Sequence, residues 1–188
     1  AIDGWAVGQW GTILHWDGFM WAEVASPTTL TLGSVAMVSA GDGWAVGAEG
    51  TILHCNGSVW TPVFSPTGVG LSSVAMVSAT DGWAVGDAGV ILHWDGSTWE
   101  ITPSPPTRWL SSLAMVSASD GWAVGDAGVI LHWDGNAWTV VDSPTHNKLR
   151  SVAIVSATDG WAIGDEGTTL RYRLVPTAVE LSSLRAQA

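Results

Sequence analysis

The chain has 188 residues, nearly half of them apolar, which is enough to bury the core of one sizeable domain. Its 6 Lys and Arg stand against 17 Asp and Glu, and every cation lies at or beyond Arg108, so a phosphate-binding surface, and with it a nucleic-acid partner, is excluded. No apolar run reaches the roughly 18 to 20 residues that cross a bilayer, so membrane insertion is not expected, and the single cysteine, Cys55, rules out an intrachain disulfide framework.

Trp5, Trp44, Trp83, Trp122 and Trp161 follow one another at intervals of 39 residues without an insertion or deletion. A fixed period of that length is the mark of a repeat architecture. In chain order the third copy divides into four segments: 71–79 (LSSVAMVSA), 82–86 (GWAVG), 90–94 (VILHW) and 98–102 (TWEIT), which we designate strands A to D. Between them stand ATDG, GDAG and WDGS, whose Asp-Gly and Gly-Asp pairs are expected to supply the positive φ of tight hairpins. Strands A and C are continuous apolar runs, whereas strand D alternates Trp99 and Ile101 with Glu100 and Thr102. Buried inner strands with a half-exposed outer strand describe the blade of a propeller, with strand A nearest the axis.

The expected fold class is therefore all-β, a β-propeller of 39-residue, four-stranded blades, five in number, whose motifs start at residues 3, 42, 81, 120 and 159. The repeats occupy residues 1–173, and 174–188 form either a closing strand or a linker to a following domain. The first four residues of the tail 181–188, LSSL, match LSSL at 110–113. Used as strand A of blade one they would close the ring; otherwise blade one is incomplete, and open edges recruit strands from other chains into homo-oligomers or fibres. The abrupt start close to a repeat motif leads us to expect a piece of a longer protein.

The phrase GWAVGDAGVILHWDGSTW resembles the repeats of the photosystem II assembly factor family and its bacterial relatives, and also the Asp-box (BNR-like) hairpin of sialidase-type propellers. The resemblance spans residues 3–173 and implies the blade type. Family members named for photosystem assembly have seven blades and bind a membrane-protein partner through a basic patch; this chain has five repeats and few cations.

Residues present in every copy are expected to build the scaffold. Asp3, Asp42, Asp81, Asp120 and Asp159, like the hairpin residues Asp17, Asn56, Asp95 and Asp134, are read as turn formers, since a calcium ion wants six to eight converging oxygens. His15, His54, His93 and His132, with Arg171 in the fifth copy, are read as structural hydrogen-bonding groups and not as zinc ligands. Twelve of the fourteen tryptophans follow the period and are expected to wedge blades together, and Cys55, at a position otherwise held by Trp or Tyr, is expected to be a buried thiol.

Specificity is then sought in residues that occur once. Trp10 lies in the B–C turn of blade one and Trp109 in the D–A connection before blade four, two kinds of loop that emerge on one propeller face. The D–A connections also differ most between copies, and Arg108, His146, Asn147 and Lys148 add donors there. An indole platform among such groups suits a carbohydrate or a peptide. No paired-carboxylate, Ser-His-Asp, phosphate-loop or zinc spacing is found, so neither catalysis nor a cofactor is expected. The expectation is a non-enzymatic binding module, extracellular or on a cell surface, with self-assembly through open edges as the alternative.

Overall fold

The computed structural model describes residues 3–57, 59–175 and 178–183. Its strands form five antiparallel sheets in chain order. The first sheet has β1 (Gly4–Val7), β2 (Ile13–Trp16) and β3 (Trp21–Glu23); the second has β4 (Leu32–Ser39), β5 (Asp42–Gly47), β6 (Ile52–Cys55) and β7 (Trp60–Pro62). The third is β8 (Leu71–Ser78), β9 (Asp81–Gly86), β10 (Ile91–Trp94) and β11 (Trp99–Ile101), and the fourth is β12 (Leu110–Ser117), β13 (Asp120–Gly125), β14 (Ile130–Trp133) and β15 (Trp138–Val141). The fifth comprises β16 (Leu149–Ser156), β17 (Asp159–Gly164), β18 (Thr169–Val175) and β19 (Ala178–Ser183). Each sheet pairs its strands in sequence order, the meander that the turn residues imply.

The end of the chain pairs within the fifth sheet, not with the first as a closing strand would. Leu181 stands opposite Tyr172, and Ala178–Ser183 is the outer strand of the fifth sheet instead of an inner strand of the first. Pairing with a strand that ends three residues earlier closes a minimal loop, whereas joining the first sheet would close a loop of nearly the whole chain. Residues 184–188 of the proposed closing segment lie outside the described residues.

Successive sheets pack through their inner strands, β4 on β8, β8 on β12 and β12 on β16. Three equivalent serines stitch these joints: Ser34, Ser73 and Ser112 each accept, at 3.2 Å, the amide of Val74, Leu113 and Val152 respectively on the next sheet. Apolar clusters fill each joint. Trp44, Val46 and Ile52 of the second sheet meet Leu71, Val74, Leu92 and Trp99 of the third, and Trp83, Val85 and Ile91 repeat the arrangement against the fourth. The periodic tryptophans of the second, third and fourth sheets are thus wedges between sheets, as expected, whereas Trp21 and Trp161 are not buried, and Cys55 is a buried free thiol in the first joint beside Trp60. Burial pushes the pKa of that thiol up. Strand D is shallower than its alternation suggests: Trp99 is buried, but Ile101 is exposed because the strand ends there.

Two expectations about the turns need correction. In GDAG the left-handed residues are Ala88 and Gly89, at φ of 54° and 74°, while Gly86 is extended. In the A–B turn no residue has positive φ; Ser78 Oγ accepts the amide of Thr80 and shapes the turn instead. The WDGS hairpins do follow the expectation, with Gly96 at φ of 93° and the Asp95 carboxylate accepting the amides of Ser97 and Thr98.

The aspartates before each Gly-Trp also have a role that local sequence did not show. Asp42, Asp81 and Asp120 accept the Nε2–H of His54, His93 and His132 at 2.7 to 2.9 Å, Asp3 does the same for His15, and Arg171 makes two bonds to Asp159. Twelve residues separate the partners, but the β9–β10 register sets His93 opposite Trp83, two residues from Asp81. Among the described residues no three His, Cys, Asp or Glu side chains gather as a metal ion would require.

Candidate functional site

The B–C turns and D–A connections do share one face, because they are hydrogen-bonded to each other. The amides of Ala48, Asp87, Asp126 and Asp165 donate at 2.8 to 2.9 Å to the carbonyls of Thr31, Gly70, Trp109 and Lys148, the last residues before each inner strand. The shared start of the connections is a brace: Ser26 and Ser65 donate their hydroxyls to the carbonyls of Thr28 and Thr67. What varies between copies is the short stretch that follows, carried on this fixed base.

The six residues read from the sequence fall into distinct places. Trp109 is 53 % exposed just before the inner strand β12, and the Lys148 ammonium lies 5.4 Å from its ring centroid. Lys148 is also 2.8 Å from an Asp126 carboxylate oxygen. An open cleft of about 290 Å³ runs beside them, lined by Ser72, Asp87, Trp109, Leu110, Ser111, Lys148 and Arg150. Arg108 and His146 line a separate shallow depression with Asp126 and Asp142, and Asn147 donates from Nδ2 to Thr168 Oγ1 at 3.0 Å, which ties its loop to the neighbouring turn. Trp10 is 82 % exposed at the left-handed apex of its turn, in the first sheet, with two sheets between it and the Trp109 connection. The structure therefore joins Trp109 with Lys148 and Arg108 with His146, while Trp10 stands apart on the same face.

One charged member of the cleft escaped the sequence reading. Arg150 is the second residue of β16, where the other inner strands have Gly33, Ser72 and Ser111, so it too breaks the repeat. Its guanidinium is bound to the Asp165 carboxylate, which raises an already high pKa and keeps it cationic. Asp87 sits across the cleft in the B–C turn of the third sheet. The result is an exposed indole face flanked by one ammonium, one guanidinium and a carboxylate, with two serine positions on the floor.

No protein-family model matches the chain, and no curated protein matches it. Solved structures do. The WD40 repeats of RRP9 superpose with a TM-score of 0.77 at 10 % identity, over 98 % of this chain and 62 % of that one. The fold is a β-propeller. YCF48 bound to D1 peptide gives 0.73 at 19 % identity over 96 % of this chain and 63 % of that one, and YCF48 from Cyanidioschyzon merolae gives 0.72 at 17 % over 96 % and 67 %. The propeller thus spans about three fifths of the length of the first two of these neighbours. Propeller blades are what the repeat phrase led us to expect; no sequence match ties the chain to Asp-box proteins.

Proposed function

We propose that this propeller is a non-enzymatic binding module that holds a peptide segment of a partner protein on its loop face, centred on Trp109. The observation that carries this reading is the Trp109–Lys148 pair beside the loop-face cleft, in a chain with only six Lys and Arg, where indole and ammonium sit 5.4 Å apart beside Arg150. An aromatic face takes up a side chain or the flat edge of a peptide bond, and the cations attract an acidic group. The ion pairs Lys148–Asp126 and Arg150–Asp165 keep the cations oriented and open to exchange with a ligand carboxylate. They also leave these carboxylates committed to pairing, which supports binding over acid–base chemistry. A neighbour of the same fold, YCF48, has been solved with a D1 peptide, which supports peptide capture as a use of the architecture. The acidic balance of the chain suits an extracellular or cell-surface setting, which forms part of the proposal.

A sugar could stack on the same indole, so the test separates the two ligands. The chain and its Trp109→Ala and Lys148→Ala variants are screened on a peptide array graded by acidic content and on a glycan array. Acidic peptides bound by the chain and lost, by about tenfold or more for a well-placed contact, in both variants are the expected result. Retention only on glycans, or peptide binding untouched by both substitutions, overturns the peptide reading.

A further inference from the structure

Beside the Trp109 cleft the loop face holds a second hollow, the depression of about 440 Å³ over the fourth sheet. Its floor is apolar: Ala127 and Val129 come from the B–C turn, and Val140 and Val141 from the outer strand β15. Val140 is 59 % exposed there. Around this floor stand Arg108, Asp142 and His146. In the other copies Arg108 is replaced by Leu30, Val69 and Asn147, Asp142 by Ala25, Phe64 and Pro103, and His146 by Thr29, Gly68 and Thr107, none of them titratable. The exposed apolar position recurs in the third sheet as Ile101, but its polar surround occurs once.

The two hollows adjoin. Asp126 lines the depression, and its carboxylate oxygen is 2.8 Å from the Lys148 ammonium, which lines the cleft. Arg108 and Trp109 are consecutive residues, one lining each hollow. The cleft lies over the starts of the inner strands, at Ser72, Ser111 and Arg150, whereas the depression reaches β15, so together they cross the loop face of the fourth sheet from inner to outer strand. Their chemistry differs. Lys148 and Arg150 are ion-paired, but among the described residues Arg108, Asp142 and His146 make no hydrogen bond or ion pair. A guanidinium facing a carboxylate has no net preference for an acid; the pair matches a group that both accepts and donates, as the peptide backbone does.

We infer that the depression is a second subsite for the same peptide, a reading that rests on the one proposed for the Trp109 cleft, and that it takes an apolar side chain close in sequence to the acidic residue held there. That side chain covers Val129 and Val140, and the backbone carrying it exchanges hydrogen bonds with Arg108 and Asp142. An extended segment repeats its side chains on one face roughly every 6.4 to 6.8 Å, so two adjoining hollows are filled by residues only a few positions apart. Specificity is then a pair of demands, an acid for the cleft and a branched aliphatic or aromatic residue for the depression. A second acidic residue in the depression would face Asp142 and is selected against.

Fluorescence anisotropy on the intact chain with a set of acidic peptides tests this. One peptide stops at the acidic residue; the others extend it in either direction, with leucine placed in turn at each of the next three positions of an alanine background. Leucine at one spacing is expected to tighten binding about tenfold over alanine, the scale of burying one aliphatic side chain. Val140→Ser changes no charge and is expected to cut that gain to about threefold or less. Arg108→Ala is expected to weaken the extended peptides that reach the depression while moving the shortened one by less than about twofold. Trp109→Ala weakens them all. Trp109-dependent binding in which leucine gains nothing at any spacing, or gains as much in Val140→Ser as in the unmodified chain, overturns the second subsite and leaves the Trp109 cleft standing. Binding of no peptide, or binding indifferent to Trp109→Ala, overturns the cleft reading and the second subsite with it.

Discussion

Asp95 shows how much a single side chain does in a hairpin of this propeller. Its carboxylate accepts two backbone amides and the Ser97 hydroxyl, and these bonds hold its pKa down to about 2. Asp17 and Asp134 accept amides in the same way in their own sheets and are lowered too. A carboxylate whose folded pKa lies below its unfolded value stabilises the fold above the unfolded value, and that contribution is lost as pH falls through the folded one. Asparagine keeps the acceptor but has no charge to lose. The melting temperature of the wild type is therefore expected to exceed that of Asp95→Asn at neutral pH, with the gap closing between about pH 4 and pH 2. Thermal melts in pH steps check this; a gap that stays constant across that range contradicts it. The histidines illustrate the opposite limit of local reading. A repeated His and a repeated Asp look like separate features until the strand register makes them partners.

At the scale of the element, the joint between the B–C turn and the D–A connection fixes the loop face, and glycine is what permits it. A Cβ at Gly125 would lie 2.0 Å from the Trp109 carbonyl oxygen, the acceptor of the Asp126 amide. Gly125→Ala is thus expected to push the Trp109 connection off its turn and to cost roughly 1 to 3 kcal/mol, the usual range for overpacking. Denaturant unfolding measures the loss, and loss of any Trp109-dependent ligand binding should accompany it. The left-handed glycine of the same turn is constrained as tightly, since a Cβ at Gly128 would lie 2.0 Å from the Thr145 carbonyl oxygen. The sequence marked these turns by their glycines but assigned the positive φ one dipeptide too early. Composition shows that a turn needs such residues; only the hydrogen bond of Val90 to Asp87 shows which pair sits at its centre.

For the molecule as a whole, the sheets form a chain of near-identical joints whose ends differ from its middle. The strand B indoles and valines of the second to fourth sheets are buried, whereas Trp161 and Ile163 of the fifth and Trp21 of the first are partly or largely exposed. In arrays that pack nearest neighbour on nearest neighbour, stability is set by the joints on both sides of a unit. Native-state hydrogen exchange is expected to show the slowest amides in β8, β9, β12 and β13 and faster exchange in β1 to β3. Uniform protection across all five sheets would show that the ends are as firmly held as the centre.

The sequence by itself determined the blade. A strict 39-residue period, alternating or continuous apolar strands and turn residues at fixed offsets define four-stranded meanders, because strand pairing between neighbours is a local property. It also located the loop face, since Trp10, Trp109, Arg108, His146, Asn147 and Lys148 depart from an otherwise repeated text. Tertiary structure decided the rest. It placed Lys148 over Trp109 with Arg150 beside them and left Trp10 two sheets away, because distances around an axis follow from how sheets stack and not from strand pattern. It turned residues 178–183 onto β18, where a near strand edge competes successfully with a distant one. And it separated buried from exposed copies of the same tryptophan, since identical residues differ in burial only through what stacks against them.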